Sequence, residues 1–320
     1  MEQLFFFKTG TTFSRIERSR VIKEFVGLFA AAHLLFFMNE SNLVLEVKDH
    51  SVSGEMFQLR YHSDLELLET HPKPEGEKLS EYYKSEDYIS HTDSKRNLFE
   101  KVYHFIKGIA LKQKLKLINS FPVSEKTLLD VGCGTGDFLQ TAKNGGWSIY
   151  GIEPNAKART MANEKNNHRV FDVDALQKFE KGSFDVITLW HVLEHLPDLH
   201  TQIKTLSQLL KPSGRIVVAV PNFKSYDATH YKNFWAAFDV PRHLWHFSQT
   251  AISKLFSKEH LKVEKTLPMK FDAFYVSLLS EQYKTGTKNP IKAFWVGLLS
   301  NIKAKRSGEY SSLIYVLKKD

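Results

Sequence analysis

Short apolar runs alternate with longer amphipathic stretches through the second half of the chain. Each run has the length and the branched or aromatic content of a buried strand, and roughly a dozen residues of helical character separate successive runs. This alternation predicts an α/β fold, a mostly parallel sheet with right-handed crossovers and helices on both faces. The five runs are Leu128–Val131, Ser148–Ile152, Arg169–Ala175, Phe184–Trp190 and Ile216–Val220.

Two later segments, Leu261–Met269 and Ser311–Lys318, also read as strands. They complete a predicted seven-stranded sheet whose last pair is antiparallel. A helical insertion near 271–305 separates them, and it carries an apolar stripe at helical spacing that we expect to pack in the core. Because Lys and Arg surround the stripe, the alternative is a membrane-surface helix or a lid over a lipid-linked acceptor. The stripe consists of Ile291, Phe294, Trp295, Leu298, Leu299 and Ile302.

The pattern divides the chain into three parts. Residues 1–40 contain an uncharged apolar run, Val26 to Met38, which is shorter than the roughly 20 residues that span a bilayer. We expect a core or interfacial helix there, with a membrane anchor as the alternative. Residues 41–90 predict a small β-rich module, and residues 91–320 form the main domain with its insertion.

A glycine-rich turn follows the first strand of the main domain. Gly132, Gly134 and Gly136 give the spacing G-x-G-x-G, which lets a ligand approach the backbone closely. A dinucleotide fingerprint would have its third glycine where Asp137 stands. Asp130 and Asp137 flank the turn and disfavour a pyrophosphate, so the turn suits a cationic ligand.

Acidic residues also follow the second and third strands. A carboxylate at Glu153 can accept both hydroxyls of a ribose, as the acid does in nucleotide-binding folds. The alternative for Glu153 is an N-cap or a surface charge. Asp174 occupies the corresponding place after the third strand, and Asp172 could serve in its stead.

Five segments, in this order and spacing, resemble the class I S-adenosylmethionine (SAM)-dependent methyltransferases. Within that class they resemble the group with a Glu-His signature after the fourth strand. The resemblance covers about residues 78–319. The segments are DVGCGTGDFL, GIEPN, GSFDVITLWHVLEHLPD, LLKPSGRIVVAVPN and FDVPRHLWHFS.

The resemblance implies a Rossmann-like fold, SAM as cofactor and methyl transfer as the reaction. It implies that the glycines line the methionine end of SAM and that Asp130 orients the ammonium group. Glu153 would then bind the ribose, and Asp174 with Ala175 would contact the adenine edge. The residues implied to contact SAM are Asp130, Gly132, Cys133, Gly134, Gly136, Glu153, Pro154, Asp174, Ala175 and Trp190.

Histidines supply the candidate chemistry at the acceptor. His195 follows the fourth strand and His243 follows the fifth, at the sheet edge where ligands bind. A neutral imidazole can remove a proton from an oxygen or carbon acceptor, so we predict these two as base and orienting partner. The alternative is that both are packing residues. His191 and Tyr88 are further candidates beside the acceptor, and His91 lies close to Tyr88 along the chain.

No metal is predicted, although one pattern favours it. His191-x-x-Glu194-His195 resembles the Glu-x-x-Glu-His ligand set of metal-dependent methyltransferases that act on RNA ends or catechol-like rings. The imidazole at His191 replaces a carboxylate, which weakens the pattern for magnesium because that ion prefers oxygen ligands. Related methyltransferases often carry a zinc ribbon near 41–90, but this region has no cysteine to build one.

The composition of the chain limits which classes of partner and acceptor are expected. The net charge is +8, but the basic residues are scattered, which predicts a solvated surface rather than nucleic-acid binding. The single cysteine, Cys133, fills a small position in the turn and fits a reducing compartment such as the cytoplasm. We expect a small-molecule, glycan or lipid-linked acceptor, with peripheral membrane contact as an added option. An RNA methyltransferase or a non-catalytic SAM-binding protein are the alternatives.

Overall fold

The structure, a computed structural model, describes residues 42–74, 78, 81–83 and 98–320. The apolar run Val26 to Met38 and the candidates Tyr88 and His91 lie outside these residues. Val44–Asp320 forms one compact unit that contains nearly all of the described part. None of the helices in the described part has the length and apolar character needed to cross a membrane.

Seven strands form the main sheet, as predicted. In spatial order they are β10 (Leu261–Pro268), β11 (Ser312–Lys319), β8 (Leu210–Pro221), β7 (Phe184–Trp190), β4 (Thr127–Val131), β5 (Ser148–Ile152) and β6 (Val170–Phe171). The strands from β8 to β6 are parallel. β11 runs antiparallel to both of its neighbours. The α/β class with a mostly parallel sheet is therefore confirmed.

Helices separate the strands along the chain, and two strands differ in length from the predicted runs. The third strand has only two residues, because the chain turns into a 3₁₀ helix at Val173–Gln177. The fifth begins at Leu210 rather than Ile216. The helices are α1 (Leu98–Asn119), α2 (Asp137–Asn144), α3 (Ala156–Lys165), α4 (Leu199–Leu209), α5 (Tyr226–Tyr231), α6 (Gln249–Ser257), α7 (Asp272–Thr285) and α8 (Pro290–Ser307).

A second sheet holds the β-rich module predicted near 41–90. Its strands are ordered β1 (Leu43–Lys48), β2 (Met56–His62), β3 (Leu67–His71) and β9 (Trp245–His246). The last of these lies in the segment FDVPRHLWHFS and pairs antiparallel with β3. The small sheet therefore includes a short strand of the main domain, which lies next to His243 in the chain. The division of the chain at residue 90 stays a prediction.

The insertion forms two helices, but its apolar stripe does not pack in the core. Ile291 is 73% exposed and Trp295 is 57% exposed. The buried side of α8 consists of Ala293, Val296, Gly297, Ser300 and Ala304 instead. The expectation of a buried stripe is wrong, because small residues allow close approach to the neighbouring helices and the large side chains take the other side.

Candidate functional site

The glycine turn is tied to the neighbouring strand. The amides of Gly132 and Cys133 both donate to the carbonyl of Ile152, at 2.7 and 3.0 Å. All three glycines have positive φ, between 55° and 77°, which favours glycine. A Cβ on Gly132 would lie 2.4 Å from Val192, and one on Gly136 would lie 2.4 Å from Asn166. These two glycines are therefore required by packing within the protein.

Gly134 is required for a different reason. A Cβ built on Gly134 would have no atom within 4 Å, and Gly134 lines a cavity of about 330 Å³. That volume lies in the range of small-molecule sites. A side chain at position 134 would therefore point into open space that a ligand can fill. The cavity is lined by Lys107, Ala110, Leu111, Lys114, Asp130, Gly132, Cys133, Gly134, Thr135, Asp137, Phe138, Ala158 and Trp190.

Glu153 holds the turn from behind. Its carboxylate is 3% exposed and accepts the amide of Gly134 at 2.8 Å and the amide of Asn155 at 2.9 Å. Burial raises the pKa of Glu153, although the two amides lower it. Each carboxylate oxygen retains a second acceptor site, so the group can still receive ribose hydroxyls. Glu153 therefore positions the glycine turn in addition to its predicted contact.

The structure brings together only part of the predicted cofactor set. Asp130, Gly132, Cys133, Gly134 and Trp190 line the cavity. Gly136, Glu153, Pro154, Asp174 and Ala175 are not among the lining residues. Asp174 is exposed in the 3₁₀ helix. The alternative acid, Asp172, pairs with Arg159 at 3.0 Å. The roles of these residues stay predictions.

Basic residues change the electrostatics expected at the turn. Lys107 and Lys165 contact the two oxygens of Asp137 at 2.6 and 2.9 Å. Burial alone would raise the pKa of Asp137, but these lysines outweigh it and hold the pKa low. Burial raises the pKa of Asp130 to about 7, against a 2.6 Å hydrogen bond from Thr188. The turn is therefore less negative than its two carboxylates indicated.

Lys114 is a cavity residue that the sequence did not indicate. Its ammonium lies 4.3 Å from the ring centroid of Trp190. Burial lowers the pKa of Lys114 to about 8, although Asp130 and Asp272 raise it. An ammonium in this place suits a carboxylate on a ligand. No pattern distinguishes it, because lysines also stand at the nearby positions 107, 112 and 116 of the same helix.

His195 and His243 lie side by side in the structure. Their ring centroids are 4.6 Å apart, with the planes at 78°. Nδ1 of His195 lies 3.0 Å from the carbonyl of Arg242, and Nδ1 of His243 lies 2.9 Å from the carbonyl of Ala237. A carbonyl only accepts, so each Nδ1 carries the proton and each Nε2 keeps a lone pair. Burial lowers the pKa of His195 to about 4, so this ring is neutral at neutral pH.

His191 has a different environment. Its Nδ1 lies 3.3 Å from Glu194, and its Nε2 lies 3.2 Å from Asp272 at the start of α7. Burial disfavours its charge, but the two carboxylates outweigh burial and raise the pKa of His191 to about 10. A histidine that stays protonated does not serve as a base, so the contribution expected of His191 is to position Glu194.

Glu194 lies beside His195 and His243. It is fully buried, and its Oε2 has no hydrogen-bond partner among the described residues. One carboxylate oxygen of Glu194 and one nitrogen each of His195 and His243 all lie within 4.8 Å of one another. This set could hold a metal ion, and it differs from the predicted pattern because His243 replaces His191. Ligand bonds of about 2.1 Å would require the three atoms to draw closer.

Tyr83 and Arg242 both contact His195. Tyr83, from the segment before α1, places its hydroxyl 3.0 Å from Nδ1 of His195. The two residues are more than a hundred positions apart in the chain, so the sequence alone did not indicate this contact. Arg242 forms an ion pair with Asp239. Burial alone would lower the pKa of Arg242, but the carboxylate of Asp239 outweighs burial and raises it.

SAM fits the cavity on three observations. The space beside Gly134 is one that a Cβ would enter. The indole N–H of Trp190 is buried and has no acceptor within the described residues, so a bound molecule can satisfy it. Asp130 and Lys114 place a carboxyl group and an ammonium group in the same cavity, where they can contact the ammonium and the carboxylate of an amino-acid portion.

We expect Gly134→Val to reduce the affinity for SAM by at least about tenfold, because the branched side chain enters the cavity. Gly182→Val is the matched control, since Gly182 also has positive φ and open space at its Cβ but is not among the residues that line the cavity. The two variants should lose comparable thermal stability. Equal SAM affinity of both variants in calorimetry would contradict the position of the cavity.

A family model described as a methyltransferase domain matches residues 97–266. The ubiquinone biosynthesis O-methyltransferase of Ralstonia nicotianae is 31% identical over 114 residues, which cover 33% of this chain and 48% of the relative. The demethylmenaquinone methyltransferase of Lactococcus lactis is 32% identical over 123 residues, 33% of this chain and 49% of the relative. The chain spans about half the length of the curated relatives it matches.

Solved structures share the fold. A geranyl diphosphate C-methyltransferase from Streptomyces coelicolor, solved with Mg²⁺, geranyl diphosphate and S-adenosyl-L-homocysteine, has a TM-score of 0.50 at 18% identity. The match covers 72% of this chain and 88% of that one. A structure of geranyl diphosphate methyltransferase with SAM gives the same TM-score and identity, over 73% and 95% of the two chains. At this identity the likeness concerns the fold.

Proposed function

This chain belongs to the methyltransferase-domain family, and from that premise we propose that it transfers the methyl group of SAM to a hydroxyl of a small-molecule acceptor. The domain is of the class I SAM-dependent type, so the class and cofactor predicted from the motifs are confirmed. The observation that carries the proposal is the open cavity at Gly134. The paired rings of His195 and His243, which come after strands of the same sheet, add the candidate base.

The acceptor class rests on the relatives and on the histidines. The relatives quoted above are named for ubiquinone biosynthesis and demethylmenaquinone. A phenol-type hydroxyl on a quinol ring is an acceptor whose proton must leave, and a neutral imidazole beside it can take that proton. We therefore favour a hydroxylated quinol-like ring over a sugar or an RNA end.

In this proposal the residues of the site have separate roles. When bound, SAM supplies a methyl group on a positively charged sulfur. Glu153 fixes the glycine turn, and Lys114 with Asp130 orients the amino-acid end of the cofactor. The enzyme mainly aligns acceptor and methyl carbon and keeps water out.

The proton leaves through His243 in this proposal. Its Nε2 has the lone pair, and Asp239 lies 3.8 Å from that atom, where it stabilises the imidazolium that forms. His195, whose pKa burial lowers to about 4, orients His243. Tyr83 in turn fixes the ring of His195.

One observation favours a second mechanism, in which Glu194, His195 and His243 would hold a divalent metal that would supply Lewis-acid polarisation of the acceptor hydroxyl. Glu194, whose Oε2 has no hydrogen-bond partner among the described residues, forms with His195 and His243 a carboxylate–histidine–histidine set that suits zinc or iron better than magnesium. Both Nδ1 atoms donate to backbone carbonyls, an arrangement that metal-bound histidines share.

A product assay tests the proposal and separates the two mechanisms. The purified protein is incubated with SAM and a panel of hydroxylated quinols, sugars and an RNA oligonucleotide, and mass spectrometry detects the gain of one CH₂ unit. We expect methylated quinol, formed equally well after EDTA treatment. Loss of activity in EDTA that Zn²⁺, Fe²⁺ or Mn²⁺ restores would support the metal mechanism instead. Methylation of RNA alone, or SAM binding without any S-adenosylhomocysteine formed, would contradict the proposed function.

A further inference from the structure

The insertion helix α8 presents its large apolar side chains to solvent. Single exposed apolar residues are ordinary on a protein surface, but a contiguous row of large ones marks an interaction site. We call these five side chains, which are between 42% and 73% exposed, the outer face of α8. They are Ile291, Phe294, Trp295, Leu299 and Ile302.

The opposite side of α8 cannot accept these side chains. It is built of small residues that pack closely, and a Cβ on Gly297 would lie 2.8 Å from the ring of Phe274. Ser300 donates a 2.7 Å hydrogen bond to the buried Asp227, which fixes the rotation of the helix. The outer face is therefore held outward by the packing beneath it, and burying it requires a partner.

The segment that carries the outer face has an excess of positive charge. The segment 270–307 contains seven basic and two acidic residues. Both acidic side chains have contacts inside the protein: Asp272 with His191 at 3.2 Å and Glu281 with Lys292 at 3.1 Å. Lys305 and Arg306 are exposed at the end of α8, so the excess is basic and part of it lies on the same helix as the apolar face.

We propose that the outer face of α8 docks on an anionic lipid bilayer. Trp, Phe, Ile and Leu side chains enter the boundary between headgroups and acyl chains, and the Lys and Arg side chains around them reach the headgroup phosphates. A protein interface of this kind would be depleted in lysine. A surface for single-stranded RNA would rely on stacking aromatics, whereas three of these five side chains are aliphatic.

Vesicle flotation with the full-length protein tests this surface. We expect binding to vesicles of phosphatidylcholine and phosphatidylglycerol in a ratio of about two to one, and little binding to phosphatidylcholine alone. The double variant Phe294→Ser/Trp295→Ser should reduce the bound fraction by at least about tenfold. Lys305→Glu/Arg306→Glu should also reduce it, and added salt should weaken the wild type.

A matched control removes exposed apolar side chains elsewhere. Val44 and Met56 are 55% and 56% exposed on the small sheet, and Val44→Ser/Met56→Ser should bind vesicles as the wild type does. Thermal unfolding checks that each variant is folded. The proposal fails if the wild type does not bind anionic vesicles, or if Phe294→Ser/Trp295→Ser binds them fully.

Two other occupants would also overturn the proposal. A dimer in sedimentation that Phe294→Ser/Trp295→Ser converts to monomer would assign the outer face to a second copy of the chain. Tight binding of a single-stranded RNA oligonucleotide, lost in the same variant, would assign it to nucleic acid.

Discussion

His243→Gln is expected to lower turnover by roughly 10²- to 10⁴-fold while leaving SAM affinity within about threefold of the wild type. Glutamine fills much of the same space and can still donate to the carbonyl of Ala237, but it has no nitrogen lone pair to receive a proton. His195→Gln should lower turnover less, because His195 orients the base. Steady-state kinetics with calorimetric SAM affinities provides the measurement.

His246 is the matched control for that experiment. It is also a buried histidine in the same segment, with its ring centroid 6.4 Å from that of His243. Its Nε2 lies 3.0 Å from the hydroxyl of Thr70 in the small sheet, which is a structural contact. His246→Gln should reduce thermal stability with little change in turnover. Full activity of His243→Gln would reduce that histidine to a packing residue and leave catalysis to alignment alone.

Glu153→Ala is expected to weaken SAM binding by at least about tenfold, and by more if both ribose hydroxyls bind the carboxylate, since a hydrogen bond to a charged group contributes about 1.5–3 kcal/mol. The variant also releases the amide of Gly134, so the turn loses one of its supports. Calorimetric titration of SAM into the variant gives the loss of affinity.

Asp185→Ala is the matched control for Glu153→Ala, because it also removes a buried carboxylate that accepts a backbone amide. Asp185 is 1% exposed and accepts the amide of Thr127, much as Glu153 accepts backbone amides. It stands near the start of β7, away from the carboxyl edge of the sheet where Glu153 follows β5. Asp185→Ala should lose stability and keep its SAM affinity. Unchanged SAM affinity in Glu153→Ala would refute the ribose assignment.

Most of the fold could be predicted from the apolar runs and the glycine turn. Buried parallel strands are continuous apolar segments, so β4, β5 and β7 were visible in the sequence. The third strand was predicted too long, because Arg169–Ala175 contains a local turn that begins at Asp172 and the apolar pattern does not show it.

Periodicity did not reveal which side of α8 faces the core. Large apolar residues repeat at helical spacing on one side, and Ala, Gly and Ser repeat on the other. The sequence favours burying the large ones because that removes more apolar area from water. The fold instead places small residues against α7 and α5, where there is no room for larger ones, and that choice depends on tertiary packing.

Contacts between distant segments account for the rest of what the sequence did not show. Lys114 enters the cavity from α1, and Tyr83 contacts His195 from the N-terminal side. Each is one polar residue among several similar neighbours, so spacing alone gives no preference. The pairing of His195 with His243 was predictable only because both follow strands of the sheet at the same edge.

Titration of the wild-type protein with SAM and, separately, with NADH tests the central claim most directly. The cavity beside Gly134, the turn held by Glu153 and the charges of Lys114 and Asp130 predict one-to-one SAM binding that Gly134→Val abolishes or weakens strongly, and no binding of NADH. Absence of SAM binding by the folded wild type, or binding of NADH in its place, would contradict the account.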